Sequence, residues 1–312
     1  SRLYGTTSTV EYYGGAQSLG AEAFGHLLVS AGTKATTGNI TLAGNFTCNT
    51  GAVVNSTHNW TAAGQWTVNG TFTQTAGMTT FSTGATHEIS GSGSSQFYAL
   101  ASSQSTINAN AHTISISENW SHGSGGVFNA MTSKVTFNGA GNQTQPAAAF
   151  VPSFYNLVIN KTGGTLSSRV WTVSNDFQLI QGSFAPESTS SFKNVLIAGG
   201  TFSCPSGSIG VSGTWTRNGG VFNPDSGTVI FNNAAADQLI NGSATAQAFN
   251  HLTINKGSRK LIYGGSISQV TVGGTLAMTS GNIILGATGI LELGTAVSTP
   301  GDLNYTAGTI IN

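Results

Sequence analysis

Side chains able to do chemistry are few in this sequence, and the densest set is His87-Glu88, His112, Glu118 and His122. Imidazoles and carboxylates in such numbers would serve as metal ligands or as an acid/base pair if folding stacked them. The spacing fixes no such geometry, so the prediction is surface or corner positions and no metal. The remaining acids are Glu11, Glu22, Glu187, Glu292, Asp176, Asp225, Asp237 and Asp302, and no two acids of the chain lie within three positions. Paired carboxylates for glycoside chemistry or calcium would have to be assembled entirely by folding. Asp225 after Pro224 reads as an isolated turn acid.

Other catalytic arrangements have less footing. Serines abound, yet no GxSxG elbow occurs. The Gly pairs 163–164, 199–200, 219–220 and 273–274 lack both GxxxxGK[ST] and the following helix whose N-terminus would hold a phosphate. No catalytic residue, cofactor or metal ligand is assigned. Cys48 and Cys204 lie 156 residues apart without a CxxC neighbour. A compact secreted fold would let them pair, and an elongated one would leave them apart as thiols.

Two kinds of surface chemistry remain. Asn-x-Ser/Thr sequons stand at Asn39, Asn45, Asn55, Asn59, Asn69, Asn119, Asn142, Asn160, Asn241 and Asn304, candidate glycosylation sites in a secreted protein. Trp60, Trp66 and Trp120, with Tyr12 and Tyr13, are candidates to stack on sugar rings if exposed, and ordinary core residues if not.

Elements that would position these residues are announced by composition. Charged residues are 6% of the 312, against roughly 25% in ordinary globular domains, and 43 residues are Gly. Ten basic and ten acidic side chains cancel. The longest basic run is Arg259-Lys260, too little for the phosphate contacts that make nucleic-acid binding strong. No stretch reaches the roughly twenty apolar residues of a membrane-spanning helix. Helical periodicity is absent, with only short Ala-rich pieces at Ala147–Ala149 and Ala234–Ala236.

The chain repeats itself instead. GGVFNAMTSKVTFNG (125–139) returns ninety-four residues later as GGVFNPDSGTVIFNN (219–233). AFGHLLVSAGTK (23–34), SFYNLVINKTGG (153–164) and AFNHLTINKGSRK (248–260) are versions of one segment, and His26 and His251 share its corner position. Apolar and polar residues alternate with the period of a strand. Phe137, Phe184 and Phe231 recur every 47 residues, room for two coils of roughly 20–25 residues. The prediction is all-β: a single elongated parallel β-helix over 1–312 in degenerate repeats 8–78, 79–132, 133–226 and 227–312. Tandem β-sandwich modules are the alternative, since the same alternation would serve them.

The succession TVxFN, xQxI or NQTQ, FxNLxIxK and VTVxGxLxLTSG, carried by 8–48, 133–182 and 227–285, resembles the repeats of large bacterial surface proteins. These are the filamentous-haemagglutinin-like and autotransporter-like β-solenoid adhesins. The resemblance implies an extracellular or cell-surface β-fibre that displays or holds something. The chain departs from that pattern in lacking a recognisable secretion or anchoring segment, which leaves the export route open. Its start at Ser1 reads as a processed product or a part of something longer. Both ends read as strand without a polar cap, so an end-to-end homopolymer, or neighbouring repeats of a longer chain, are the expected partners. The resulting expectation is a structural subunit of a fibre or adhesin stalk. A carbohydrate-binding adhesin and a β-helix polysaccharide lyase or hydrolase are the rivals.

Overall fold

A computed structural model describes the chain apart from residues 1–3, 83, 103, 124, 145–152, 169 and 295–300. The described residues contain no helix, and every strand pairing for which the register is defined is parallel. That decides between the two architectures, because a sandwich is built from antiparallel strands. The chain is a parallel β-solenoid. Ala234–Ala236 forms a bend rather than a helix, and Ala147–Ala149 lies outside the described residues.

The chain divides into two compact units, 1–156 and 157–312, with the boundary inside the repeat read as 133–226. In the first unit each coil carries three short strands. One face is built from Thr9–Tyr12, His26–Val29, Phe46–Cys48 and Trp66–Val68 and their successors. A second runs through Gln17–Leu19, Thr33–Thr36, Val53–Ser56, Thr71–Gln74, Ser94–Phe97, Thr113–Ile116 and Lys134–Phe137. The third is a six-stranded sheet from Glu22–Phe24 to Trp120–His122.

In the second unit several strands bend around corners without interruption. Thr172–Pro186 is 15 residues long, His251–Tyr263 13 and Thr275–Ile284 10. Register shifts mark the corners, as between Ile254 and Asn255 and between Asn255 and Lys260. Coil length is looser than the sequence periodicity implies. The step is 17 residues from Thr9 to His26, 20 from Ile209 to Val229, and 27 from Thr275 to Asp302. Extra residues are absorbed at corners, where they leave the strand ladder intact.

Alternation explains the core. In Thr71–Gln74 and Thr113–Ile116 every second side chain is buried, and stacking puts like residues over like. One coil cannot cover its own inward side chains, so neighbouring coils complete the shelter. In the first unit Trp66 packs against Phe46 at 4.4 Å and Phe72 at 4.8 Å between ring centroids. In the second, Phe177 meets Phe184 at 4.9 Å and Phe192 at 5.0 Å, and Trp215 meets Phe222 at 4.8 Å.

The ninety-four-residue twin is a strand, corner and strand in both units. Val127–Asn129 leads to Lys134–Phe137, and Val221–Asn223 leads to Thr228–Phe231. At equivalent corners the Ser133 amide donates to Ala130 O at 2.9 Å and the Gly227 amide to Pro224 O at 3.1 Å. Each turn needs a left-handed residue, supplied by Met131 (φ 50°) and Asp225 (φ 42°). The repeated stretch encodes this corner and the inward Phe ladders on either side of it.

Candidate functional site

The titratable residues at 87–122 separate into inward and outward positions. His87, His112 and His122 alternate inward and are buried. The His87 ring nitrogens face Gly64 O and Ser82 O, each at 3.0 Å. His112 sits at the end of a hydrogen-bond relay inside the aromatic core. Trp66 Nε1–H donates to Ser95 Oγ at 3.1 Å, and the Ser95 hydroxyl donates to His112 Nε2 at 2.9 Å. His112 Nδ1–H in turn donates to Gly91 O at 2.9 Å, which fixes the tautomer. Burial lowers the pKa of both His112 and His122, so the neutral imidazole is the form the core accepts. His122 is bonded to Ser102 Oγ through Nδ1.

Ser95 and His112 have the pairing of a nucleophile and its base, yet both are buried and no substrate reaches them. The relay instead satisfies an indole N–H that would be costly to strand in hydrocarbon. Glu88 points outward, where Asn108 Nδ2 donates to Oε1 at 2.6 Å and Asn110 Nδ2 to Oε2 at 2.9 Å. Asp176 is held the same way by Asn194 Nδ2 at 2.9 Å, and Glu292 by Gln269 Nε2 at 2.8 Å. Among the described residues no three His, Cys, Asp or Glu gather as a metal-sized group.

Trp60, Trp66 and Trp120 are 0, 0 and 1% exposed. This corrects their candidacy as sugar platforms, because a ring sealed in the core has no face to offer a ligand. Thr/Ser alternation around them put these indoles on the inward side of their strands, and Trp60 Nε1–H finds Ser56 Oγ at 2.9 Å. Of the aromatic candidates Tyr12 is half-buried and Tyr13 is exposed.

Five of the ten sequon asparagines share a structural task that the sequence reading did not tie to the sequons. Asn39 Oδ1 accepts the Asn59 amide at 3.1 Å, and Asn59 Oδ1 accepts the Met78 amide at 2.8 Å. Asn45 does this for Gln65, Asn69 for Ser92 and Asn119 for Thr144. Corner amides turned away from the strand ladder thus receive an acceptor from the coil below. Asn39, Asn45, Asn55, Asn59, Asn119, Asn142 and Asn304 are exposed, and Asn69, Asn160 and Asn241 are half-buried.

Buried lysines are the second feature that the sequence reading missed. Lys34, Lys161 and Lys256 are 0, 1 and 0% exposed. Lys34 Nζ donates to Gly14 O at 3.2 Å, Gly15 O at 2.7 Å and Ala31 O at 2.8 Å, so each of its protons has an acceptor. Lys256 Nζ donates to Asn233 O at 3.1 Å, Ala236 O at 3.0 Å and Gln238 Oε1 at 2.8 Å. The available signal was the repeated INK, which places Lys161 and Lys256 at one repeat position whose inward side a surface lysine would not occupy. Gln143 and Gln238 are likewise paired by repeat. Gln143 Nε2 donates to Ile116 O and Glu118 O, and Gln238 Nε2 donates to Val211 O and Gly213 O.

Cys48 and Cys204 are both buried free thiols. Burial raises the Cys48 pKa, and burial with the Asp225 charge pushes Cys204 up to about 12. Neither thiol is a nucleophile in the folded chain.

What remains open to ligands is shallow. A groove of about 250 Å³ runs over Thr172, Ser174, Ser191, Lys193, Ser212 and Asn232 in the second unit. Another of about 460 Å³ crosses Thr7, Thr9, His26, Asn45, Thr47 and Asn49 in the first. Both are furrows between outward rows of hydroxyls and amides. Comparison of the chain with known protein families, with curated proteins and with solved structures finds no match. Among the described residues no helix is long and apolar enough to cross a membrane.

Proposed function

We propose that this chain is a structural element of an extracellular fibre or surface adhesin stalk, extended by adding further coils at an exposed β-edge. One observation carries the reading. Among the described residues, Asp302–Tyr305 and Ile310–Ile311 pair with Thr275–Ile284 along one edge and present the other to whatever coil comes next, in this chain or in another. Leu303, Tyr305, Ile310 and Ile311 on these strands are 51, 59, 45 and 45% exposed. A parallel edge with apolar side chains of this kind fits another coil of the same kind. Zero net charge removes the long-range repulsion that would oppose such joining.

A surface made polar by hydroxyls and amides suits a fibre that must stay dispersed with few charges. Asn39, Asn45, Asn59 and Asn119 would carry sugars without losing their corner role, because the carboxamide oxygen serves the next coil and a glycan joins the nitrogen. The carbohydrate-binding reading loses three of its five stated platforms with the burial of the tryptophans and keeps the exposed Tyr13 and half-buried Tyr12.

Negative-stain electron microscopy of the purified 312-residue chain tests the proposal. Long filaments of uniform width are expected to grow with concentration. Monodisperse short particles at every concentration would overturn self-joining. Replacing Ile310 and Leu303 by Lys should shorten or abolish the filaments while leaving the far-ultraviolet β-signal unchanged.

A further inference from the structure

The corner of the continuous strand His251–Tyr263 turns Lys256 inward, directly against the carboxamide of Gln238 one coil earlier. Both side chains are buried, at 0 and 1% exposure. All four hydrogen-bonding positions of the Gln238 amide are taken. Nε2 donates to Val211 O and Gly213 O, each at 2.8 Å, while Oε1 accepts the Asn233 amide at 3.0 Å and Lys256 Nζ at 2.8 Å. The group is therefore immobilised, with its carbonyl polarised by two donors.

These are the conditions for acyl transfer between side chains. The Asn233 amide, which stays on the carbonyl oxygen when Lys256 Nζ leaves it for the carbon, favours the negative charge that develops there during the attack. Fixing amine and amide in contact turns a slow bimolecular aminolysis into an intramolecular one, with effective concentrations of the order of 10⁵ M or more in well-oriented cases. A desolvated lysine is the form of that residue that acts as a nucleophile. Burial lowers the Lys256 pKa to about 8, which leaves about a tenth of it neutral near pH 7.

We propose that Lys256 and Gln238 become joined by an isopeptide bond that staples two successive coils of the second unit. The neutral Nζ moves from the carbonyl oxygen to the carbonyl carbon and forms the Nζ–Cδ bond. The Cδ–Nε2 bond breaks, and Nε2 leaves as ammonia after taking one proton from the attacking nitrogen. No oxidant, reductant or added reagent enters the balance. Ammonia escapes as the product, and the new amide keeps an oxygen that the Asn233 amide continues to hold.

A stapled coil and a filament are observed separately, so the bond is tested independently of the fibre. Intact-mass spectrometry of the denatured full-length protein, followed by proteolysis and fragmentation, decides it. The expected mass is below that of the sequence by one ammonia, with a branched peptide joining residue 238 to residue 256. The Lys256→Arg variant, which keeps a cation but lacks a nucleophile, should show the full sequence mass. A full mass for the unsubstituted protein after prolonged incubation at pH 9 would overturn the proposal. So would an ammonia loss that mapped to any other pair or to an Asn-Gly step such as Asn218-Gly219.

Discussion

His251 Nδ1 accepts the backbone amide of Thr275 from the next coil at 2.9 Å, and His26 Nδ1 accepts the amide of Asn45 at the same distance. The two histidines stand at the same position of AF(G/N)HL, and each ring lies over a glycine. A Cβ added at Gly274 would meet His251 Cε1 at 2.6 Å, and one at Gly44 would meet His26 Cε1 at 2.5 Å. Histidine plus glycine one coil on is thus a corner device. Gly274→Ala is expected to cost about 1–3 kcal/mol by overpacking. His251→Leu should cost about 1 kcal/mol through the orphaned amide, with His251→Asn recovering part of it. Urea unfolding of the three variants checks this, and equal midpoints for Leu and Asn would refute the acceptor role.

Met131 occupies a left-handed corner with φ 50° although its side chain is 59% exposed and packs little. Asn110 fills the corresponding position one coil earlier at φ 50°, after Ala109, whose carbonyl accepts the His112 amide. Met131→Gly should therefore stabilise by about 0.5–1 kcal/mol, because relief of the steric cost of left-handed backbone exceeds the entropy of the freer unfolded chain. A raised urea midpoint is the expected outcome, and a lowered one would show that the methionine contacts matter more than its backbone.

The buried His112 gives stability a pH dependence. Its folded pKa lies below the ordinary 6.5 because burial disfavours the charged ring. Below that value the unfolded chain takes up a proton that the fold refuses, so its contribution is complete above about pH 6.5 and is lost as pH falls, levelling off only where the folded ring itself titrates. The slope of unfolding free energy between pH 7.5 and 5 should flatten in His112→Gln. Parallel slopes for the two proteins would remove His112 from the account.

The thiols make the opposite prediction in alkali. With the Cys204 pKa pushed up to about 12, the neutral thiol is favoured by the fold, and its contribution is complete below about pH 9 and lost as pH rises towards 12. A maleimide should leave Cys48 and Cys204 unlabelled in the native protein at pH 7.5 and label both in guanidinium. Rapid native labelling at either would contradict the packing around it.

The burial of Trp60, Trp66 and Trp120 sets a fluorescence test. Emission should be blue-shifted and unchanged by added oligosaccharides, and Trp60→Ala should destabilise by about 3–5 kcal/mol. A sugar-dependent shift would reopen these residues as ligand contacts.

Much of the fold was legible because strand periodicity and inter-coil repetition are both written locally. Alternation in KVTFNG and TVIFNN marks inward Phe137 and Phe231, and the ninety-four-residue twin marks one corner used twice. The length of each coil was less legible, since corner insertions such as Asn255–Lys260 leave the ladder in register on both sides.

By itself, the sequence determined that this chain is strands and glycine-rich corners without helical periodicity, with charged residues only 6% of its length. Only the tertiary structure decided which way each side chain faces once the corner is turned. Neither the lysine in INK nor a tryptophan among threonines announces its direction locally, yet Lys256 and Trp60 are sealed inside. The physical reason is that a corner residue's direction depends on backbone angles and on acceptors brought from the adjacent coil some twenty residues away, such as Gln238 for Lys256, and no local pattern encodes those partners.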